Sequence, residues 1–185
     1  MNNISDEHII QQILKGNQEL FKIIIQRYEQ LVYSLGMRFF KNHDDASDFT
    51  QEVFVKVYGN LYSFKGTASF KTWMMKVCYN HAVNKIAQMQ NNNTTEYHDT
   101  IADTSEPLNI FMKNELGELL EQAINALPPA YKVCIDLYFY AGLPFKDISR
   151  ITGYPVNTIK SYVFRAKQHL RDALKGTIAE DYHEM

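Results

Sequence analysis

Between Lys146 and Lys175 the chain sets seven cationic side chains, Lys146, Arg150, Lys160, Arg165, Lys167, Arg171 and Lys175, against two acidic ones. Asn157, Thr158, Ser161 and Tyr162 are interleaved with them. Amide, hydroxyl and guanidinium groups clustered in this way reach base edges and phosphates in a DNA major groove. The same set also suits an ordinary solvated helix face in a small bundle.

A second group lies at 62–86. Tyr62, Phe64, Phe70, Trp73 and Tyr79 alternate with Lys65, Lys71, Lys76 and Lys85. Aromatic rings stack on unpaired bases while cations follow the backbone. Trp73 falls on an apolar face and reads as core, whereas Tyr62, Phe64 and Tyr79 fit either role. A third group, Asp45, Asp48, Gln51 and Glu52, forms an acidic-amide helix face. Such a face is poor for DNA; it is either solvated or docks on a basic partner.

Enzyme chemistry finds no foothold. There is no Gly-rich phosphate loop and no Ser or Cys nucleophile motif. His81 follows Cys78 by three residues, but two ligands on one helix do not make a zinc site. No cofactor and no metal is expected. Cys78 and Cys134 sit in apolar helical contexts and read as reduced core residues.

The elements that must position these groups are helical nearly throughout. Ile9, Ile10, Ile13 and Leu14 follow a Ser5 cap and stop at Gly16. Leu20, Phe21, Ile24, Tyr28, Leu31, Val32 and Leu35 repeat at three- and four-residue steps. A third helix from about Asp44 puts Ala46, Phe49, Val53, Val57 and Leu61 opposite the acidic face. Residues 62–69 break the pattern, and Ser69 is placed to cap the next helix. After an amide-rich and acidic stretch without apolar period, helices resume near Leu116. Pro128-Pro129 is expected to end one, and another is expected from Ala130 to about Tyr140. Pro144–Ile151, a turn at Gly153, and a helix from Pro155 carrying Ile159, Val163, Ala166, Leu170 and Leu174 have the form of a helix-turn-helix.

Of 185 residues, 45% are apolar and 22% charged, a globular composition with formal net charge −2. The near-neutral total hides its distribution: residues 1–90 are net +2, 91–127 net −6 and 146–175 net +5. Local potential decides whether a surface attracts phosphates. No apolar run approaches the roughly 20 residues of a membrane span, so no membrane insertion is expected. The N-terminal residues lack a basic start and an apolar core, and the expected location is cytoplasmic.

Two blocks resemble a known family. Residues 45–54 (DASDFTQEVF) look like the core-binding helix of bacterial RNA polymerase sigma factors, and 70–80 (FKTWMMKVCYN) like their promoter-melting segment. Residues 127–133 (LPPAYKV) and 158–166 (TIKSYVFRA) resemble sigma region 4. Two domains joined directly, with no room for a third, is the layout of the extracytoplasmic-function (ECF) subgroup. The resemblance implies an all-α fold: sigma region 2 over residues 1–88, a flexible acidic linker over 89–114, and a region 4 helix-turn-helix over 115–178. It implies that Asp45, Asp48, Gln51 and Glu52 bind core RNA polymerase. It places Tyr62, Phe64, Lys65, Lys71, Lys76, Tyr79, Asn80 and Asn84 at the minus-ten element of promoter DNA. It places Asn157, Thr158, Lys160, Ser161, Tyr162 and Arg165 at the minus-thirty-five element. An anti-sigma factor is a further partner the resemblance admits. The chain departs from the family pattern at Asn84, Ala87 and Gln88, where Asp and basic residues are usual, and at Tyr162, where Arg is common. Asp147 and Ser149 likewise stand where Glu and Ala are commoner. An operator-binding regulator using the same helix-turn-helix is the alternative, but it leaves the acidic helix and the aromatic loop without a role.

Overall fold

The chain divides into two compact units, Met1–Ala102 and Asp103–Met185. The computed structural model describes residues 4–92 and 115–175, and among these every regular element is helical. Of the linker expected over 89–114, residues 93–114 lie outside the described residues, as do 176–178 at the far edge of the second domain.

The first unit contains α1 (Asp6–Leu14), α2 (Phe21–Phe40), α3 (His43–Gly59) and α4 (Phe70–Asn92). Ser5 caps α1, its hydroxyl accepting from the His8 N–H at 3.3 Å. The Ile9, Ile10 and Ile13 side chains are buried. Asp6 anchors this helix to α2: its carboxylate meets Arg27 Nη1 at 2.6 Å and accepts from the Tyr28 hydroxyl. Burial, and then the Asp6 carboxylate, push the Tyr28 phenol well above its ordinary range.

Lys41 and Asn42 turn the chain from α2 into α3. Lys41 takes the left-handed conformation that closes α2, at φ 55°. The Asn42 Oδ1 accepts from the N–H groups of Asp44 and Asp45, at 2.8 and 3.2 Å. An Asn cap with acids in the first turn satisfies both the orphan N–H groups and the helix dipole. So short a connection makes α2 and α3 antiparallel neighbours. The core of this unit gathers Ile24, Val32, Ala46, Phe49, Val53, Val57, Phe70, Met74, Met75, Cys78 and Ala82, all fully buried. Ser69 caps α4 as expected, accepting from the Thr72 N–H at 3.2 Å. The helix runs on to Asn92, past the edge expected at 88; Met89 and Gln90 are good helix formers and Asn91 and Asn92 form its last residues.

The second unit contains α5 (Glu115–Asn125), α6 (Pro129–Ile135), α7 (Phe145–Thr152) and α8 (Val156–Leu174). α8 is its hub, touching α5, α6 and α7. The proline pair behaves differently from expectation. α5 has already ended at Asn125, and Pro128 with Pro129 starts α6, where a missing N–H costs nothing. The helix expected to reach Tyr140 is α-helical only to Ile135 and continues as a π-helical turn over Asp136–Tyr140. The wider turn brings Tyr138 flat against Phe145, centroids 4.7 Å apart at 13°. Leu127, Cys134, Leu137, Ile148, Ile159, Val163 and Ala166 form the core.

Both cysteines are buried and unpaired. Burial pushes the Cys78 thiol up to about 12 and that of Cys134 up to about 11. No helix among the described residues is long and apolar enough to cross a membrane.

Candidate nucleic-acid and partner interfaces

The inner side of α3 is fixed by Ala46, Phe49, Thr50, Val53, Phe54 and Val57, with Thr50 Oγ1 donating to the Ala46 carbonyl at 2.7 Å. That burial turns Asp48 and Gln51 to solvent and leaves Asp45 half-buried. Val55, one turn beyond Gln51, is 73% exposed. It borders an apolar groove shared by Phe21, Ile25, Phe54 and Tyr58. The sequence reading misses this groove; an apolar residue off the buried stripe of α3 is the available signal. Glu52 belongs to the same face but is already engaged. Its Oε2 lies 2.6 Å from His81 Nε2 and its Oε1 3.1 Å from Lys85 Nζ, both on α4. Burial raises the Glu52 carboxyl, but the His81 and Lys85 hydrogen bonds outweigh it and hold it below the usual value.

The loop before α4 is held by Leu61, which is buried, and by Phe64. The Phe64 ring meets Phe70 edge-on at 5.6 Å and Trp73 at 5.8 Å, and Phe70 stacks on Trp73 at 5.7 Å. Phe64 is therefore half-buried, a member of an aromatic cluster. Tyr62, at 76% exposure, is the ring of this loop most available to a ligand. Lys65 and Lys76 are exposed and Lys71 is half-buried. Along α4, Lys76, Asn80 and Asn84 follow one another at four-residue steps, all exposed, which makes one stripe. Tyr79 is half-buried beside it. Val83, 43% exposed, adjoins the stripe and lies outside the set expected from the sequence.

In the second unit Gly153 closes α7 at φ 79°, a left-handed position that glycine adopts without strain. Ser149 Oγ donates to the Tyr154 carbonyl at 2.7 Å, and the Tyr154 N–H reaches Thr152 Oγ1 at 3.3 Å. These bonds set the angle at which α8 leaves the turn. With Ile159, Val163 and Ala166 buried, Asn157, Lys160, Ser161 and Arg165 face solvent, and Ser161 Oγ donates to the Asn157 carbonyl at 3.0 Å. Thr158 and Tyr162 are half-buried. The Tyr162 ring rests against Tyr131 at 4.9 Å and Tyr154 at 5.6 Å. Tyr131 Oη also accepts from Arg165 Nη1 at 3.3 Å. Phe164, 63% exposed, stands with Lys160, Ser161 and Arg165 around a shallow depression. It too lies outside the expected set, although it follows Lys160 by one turn and falls off the buried stripe.

The three groups thus occupy three surfaces: an acidic-amide face on α3, an aromatic and amide face on the loop and α4, and a basic polar face on α8. Among the described residues no three His, Cys, Asp or Glu side chains converge as a metal site.

Comparison with known proteins covers both units. The sigma-70 region 2 family matches residues 24–91, and the sigma-70 region 4 family matches 117–170. The chain is 28% identical to the ECF RNA polymerase sigma-E factor of Escherichia coli K12, over 95% of this chain and 97% of that protein. It is 25% identical to the RNA polymerase sigma-H factor of Pseudomonas aeruginosa, over 95% and 96%. Among solved structures, the sigma factor RpoE in complex with the anti-sigma factor NepR from Bartonella quintana shares the fold, with a TM-score of 0.66 at 22% identity. That match covers 84% of this chain and 98% of that one. CnrH in complex with the cytosolic domain of CnrY also scores 0.66, at 17% identity over 91% and 96%.

Proposed function

We propose how a chain that belongs to the sigma-70 family, in its extracytoplasmic-function subgroup, divides its work among these surfaces. As a sigma factor it binds core RNA polymerase and directs promoter recognition and transcription initiation. The observation that carries the reading is the succession of a region 2 match and a region 4 match along one chain. In the division proposed here, Asp48 and Gln51, with Asp45 behind them, meet a basic surface of the polymerase. Tyr62 stacks on a base of the melted minus-ten element. Lys65, Lys71 and Lys76 follow its backbone, and Tyr79, Asn80 and Asn84 line the path of the strand. Asn157, Lys160, Ser161 and Arg165 enter the major groove at the minus-thirty-five element, with Thr158 and Tyr162 at the edge of that contact.

What supports the assignment is chemistry. An acidic face repels DNA and suits a protein partner, while the basic α8 face does the opposite. The chain itself makes or breaks no covalent bond in this scheme; the polymerase supplies that step, in the cytoplasm. An anti-sigma factor would act by covering one of these surfaces.

The test is capture of core polymerase by the wild-type chain and by Asp48→Lys, followed by transcription from a promoter selected with the wild-type holoenzyme. Asp48→Lys is expected to lose core capture while keeping its fold. Unchanged capture would remove α3 as the docking face.

A further inference from the structure

Glu52 sits in the middle of the α3 face, yet both its oxygens are taken by α4. One carboxylate bridges a full helical turn of its neighbour: Oε2 to His81 at 2.6 Å and Oε1 to Lys85 at 3.1 Å. The two partners on α4 are the more enclosed side of the arrangement. His81 is 14% and Lys85 18% exposed, against 45% for Glu52. His81 lies flat on Phe49, at 5.6 Å and 8°, and Lys85 Nζ stands 5.7 Å over the Phe40 ring. Packing on α2 and α3 therefore leaves these two side chains little room, and Glu52 fixes the direction in which they point.

Their place on α4 gives the arrangement a consequence. His81 directly follows Asn80, and Lys85 directly follows Asn84. Each residue step rotates a helix by about 100°. Holding His81 and Lys85 against α3 consequently holds the Lys76–Asn80–Asn84 stripe at one angle about the α4 axis. We infer that Glu52, His81 and Lys85 form a positioning clamp that sets the rotation of the promoter-melting helix against the polymerase-docking helix. On this inference Glu52 is a positioning residue for promoter opening rather than a charge offered to polymerase. The clamp also ties the element that receives the polymerase to the element that receives the single strand. The inference rests on the division of surfaces proposed above.

The experiment uses the full chain, core polymerase and a promoter selected by the wild-type holoenzyme. Core affinity and permanganate reactivity of the melted promoter are measured in parallel for Glu52→Lys and for the charge swap Glu52→Lys with Lys85→Glu. Glu52→Lys is expected to lower opening about tenfold, because it removes the acceptor shared by His81 and Lys85 and places a second ammonium against the enclosed Lys85, while core affinity stays within about threefold of wild type. The swap should recover a large part of the opening, since the ammonium introduced at position 52 then faces a carboxylate at position 85. A loss of core affinity that the swap does not restore would make Glu52 a docking charge and overturn the clamp. Unchanged opening with Glu52→Lys would overturn it as well. Should Glu52→Lys unfold the domain, Lys85→Met keeps an aliphatic stem on Phe40 and removes one partner. Reduced opening at unchanged core affinity then supports the clamp, and unchanged opening overturns it. Asp48→Lys run alongside separates the two ideas: if it spares core affinity the docking face is misassigned, whatever the swap does.

Discussion

Gly36 of α2 faces Ala46 of α3 with no space for a side chain between them. A β-carbon at position 36 would lie 3.1 Å from Ala46 Cα, 3.2 Å from its Cβ and 3.0 Å from the Phe49 ring. The two helices approach on this glycine, and the acidic-amide face of α3 is oriented by that approach. Gly36→Ala should therefore destabilise the first unit by about 1–3 kcal/mol, the cost of overpacking a fitted core. Helix propensity alone would give the opposite sign, because Ala favours a helix over Gly by about 1 kcal/mol. Urea unfolding of the two proteins decides which effect wins.

The aromatic loop separates into a free ring and a packed one. Tyr62 carries little of the fold, so Tyr62→Ala should leave thermal stability unchanged and weaken single-strand contact by about 1–3 kcal/mol, the range for loss of one stacking ring. Phe64 packs against both Phe70 and Trp73. Phe64→Ala should lower stability by about 1–3 kcal/mol for a half-buried ring and should impair melting by loosening the loop. Permanganate footprinting together with a melting curve tells the two apart. A Phe64→Ala protein with wild-type stability would show that the cluster does not hold the loop.

How much of this is legible in the sequence follows from which forces act locally. The caps at Ser5 and Ser69, the apolar stripes and the turn at Gly153 depend on residues within a turn or two, and the pattern carries them. Glu52 reads as part of an outward face because its partners lie about thirty residues away on another helix. Tyr162 reads as a DNA-facing residue, and its half-buried place arises from Tyr131 and Tyr154, which only tertiary folding brings near. The π-helical turn at Asp136–Tyr140 leaves no periodic signature, and the contact it makes, Tyr138 on Phe145, joins it to the next helix, beyond the reach of a local pattern.

The thiols offer a check on the cores of both units. With its thiol pushed up to about 12, Cys78 should be alkylated by iodoacetamide at pH 8 on the order of a thousandfold more slowly than an exposed cysteine. Cys134, at about 11, should also be protected, to a smaller degree. Mass spectrometry of the folded chain should find both unlabelled, and both labelled in denaturant. Rapid labelling of Cys78 in the folded state would mean that α4 opens away from its core.

Tyr131, a residue of α6, stands behind the reading helix. Its ring supports Tyr162 and its hydroxyl accepts from Arg165. That hydrogen bond raises the Arg165 guanidinium above its ordinary value, and an arginine is charged throughout the physiological range in any case. Tyr131→Phe removes the acceptor and preserves the ring. The charge on α8 is unchanged, so the salt dependence of duplex binding should stay as in wild type. The direction of the guanidinium is no longer set, so if Arg165 reaches a base, preference at that position should relax. Arg165→Ala serves as the contrast: if Arg165 contacts a phosphate, the salt slope should fall by about one unit on every sequence. Tyr162→Arg, which places the commoner family residue at that position, should remove the Tyr131–Tyr162 and Tyr154–Tyr162 contacts and cost about 1–3 kcal/mol of stability for two lost aromatic pairs. Binding of the holoenzyme to promoters varied one base at a time across the minus-thirty-five element, at two salt concentrations, together with a melting curve, reads all three variants. If Arg165→Ala changes preference at one base and Tyr131→Phe does not, Arg165 finds its direction from the DNA alone.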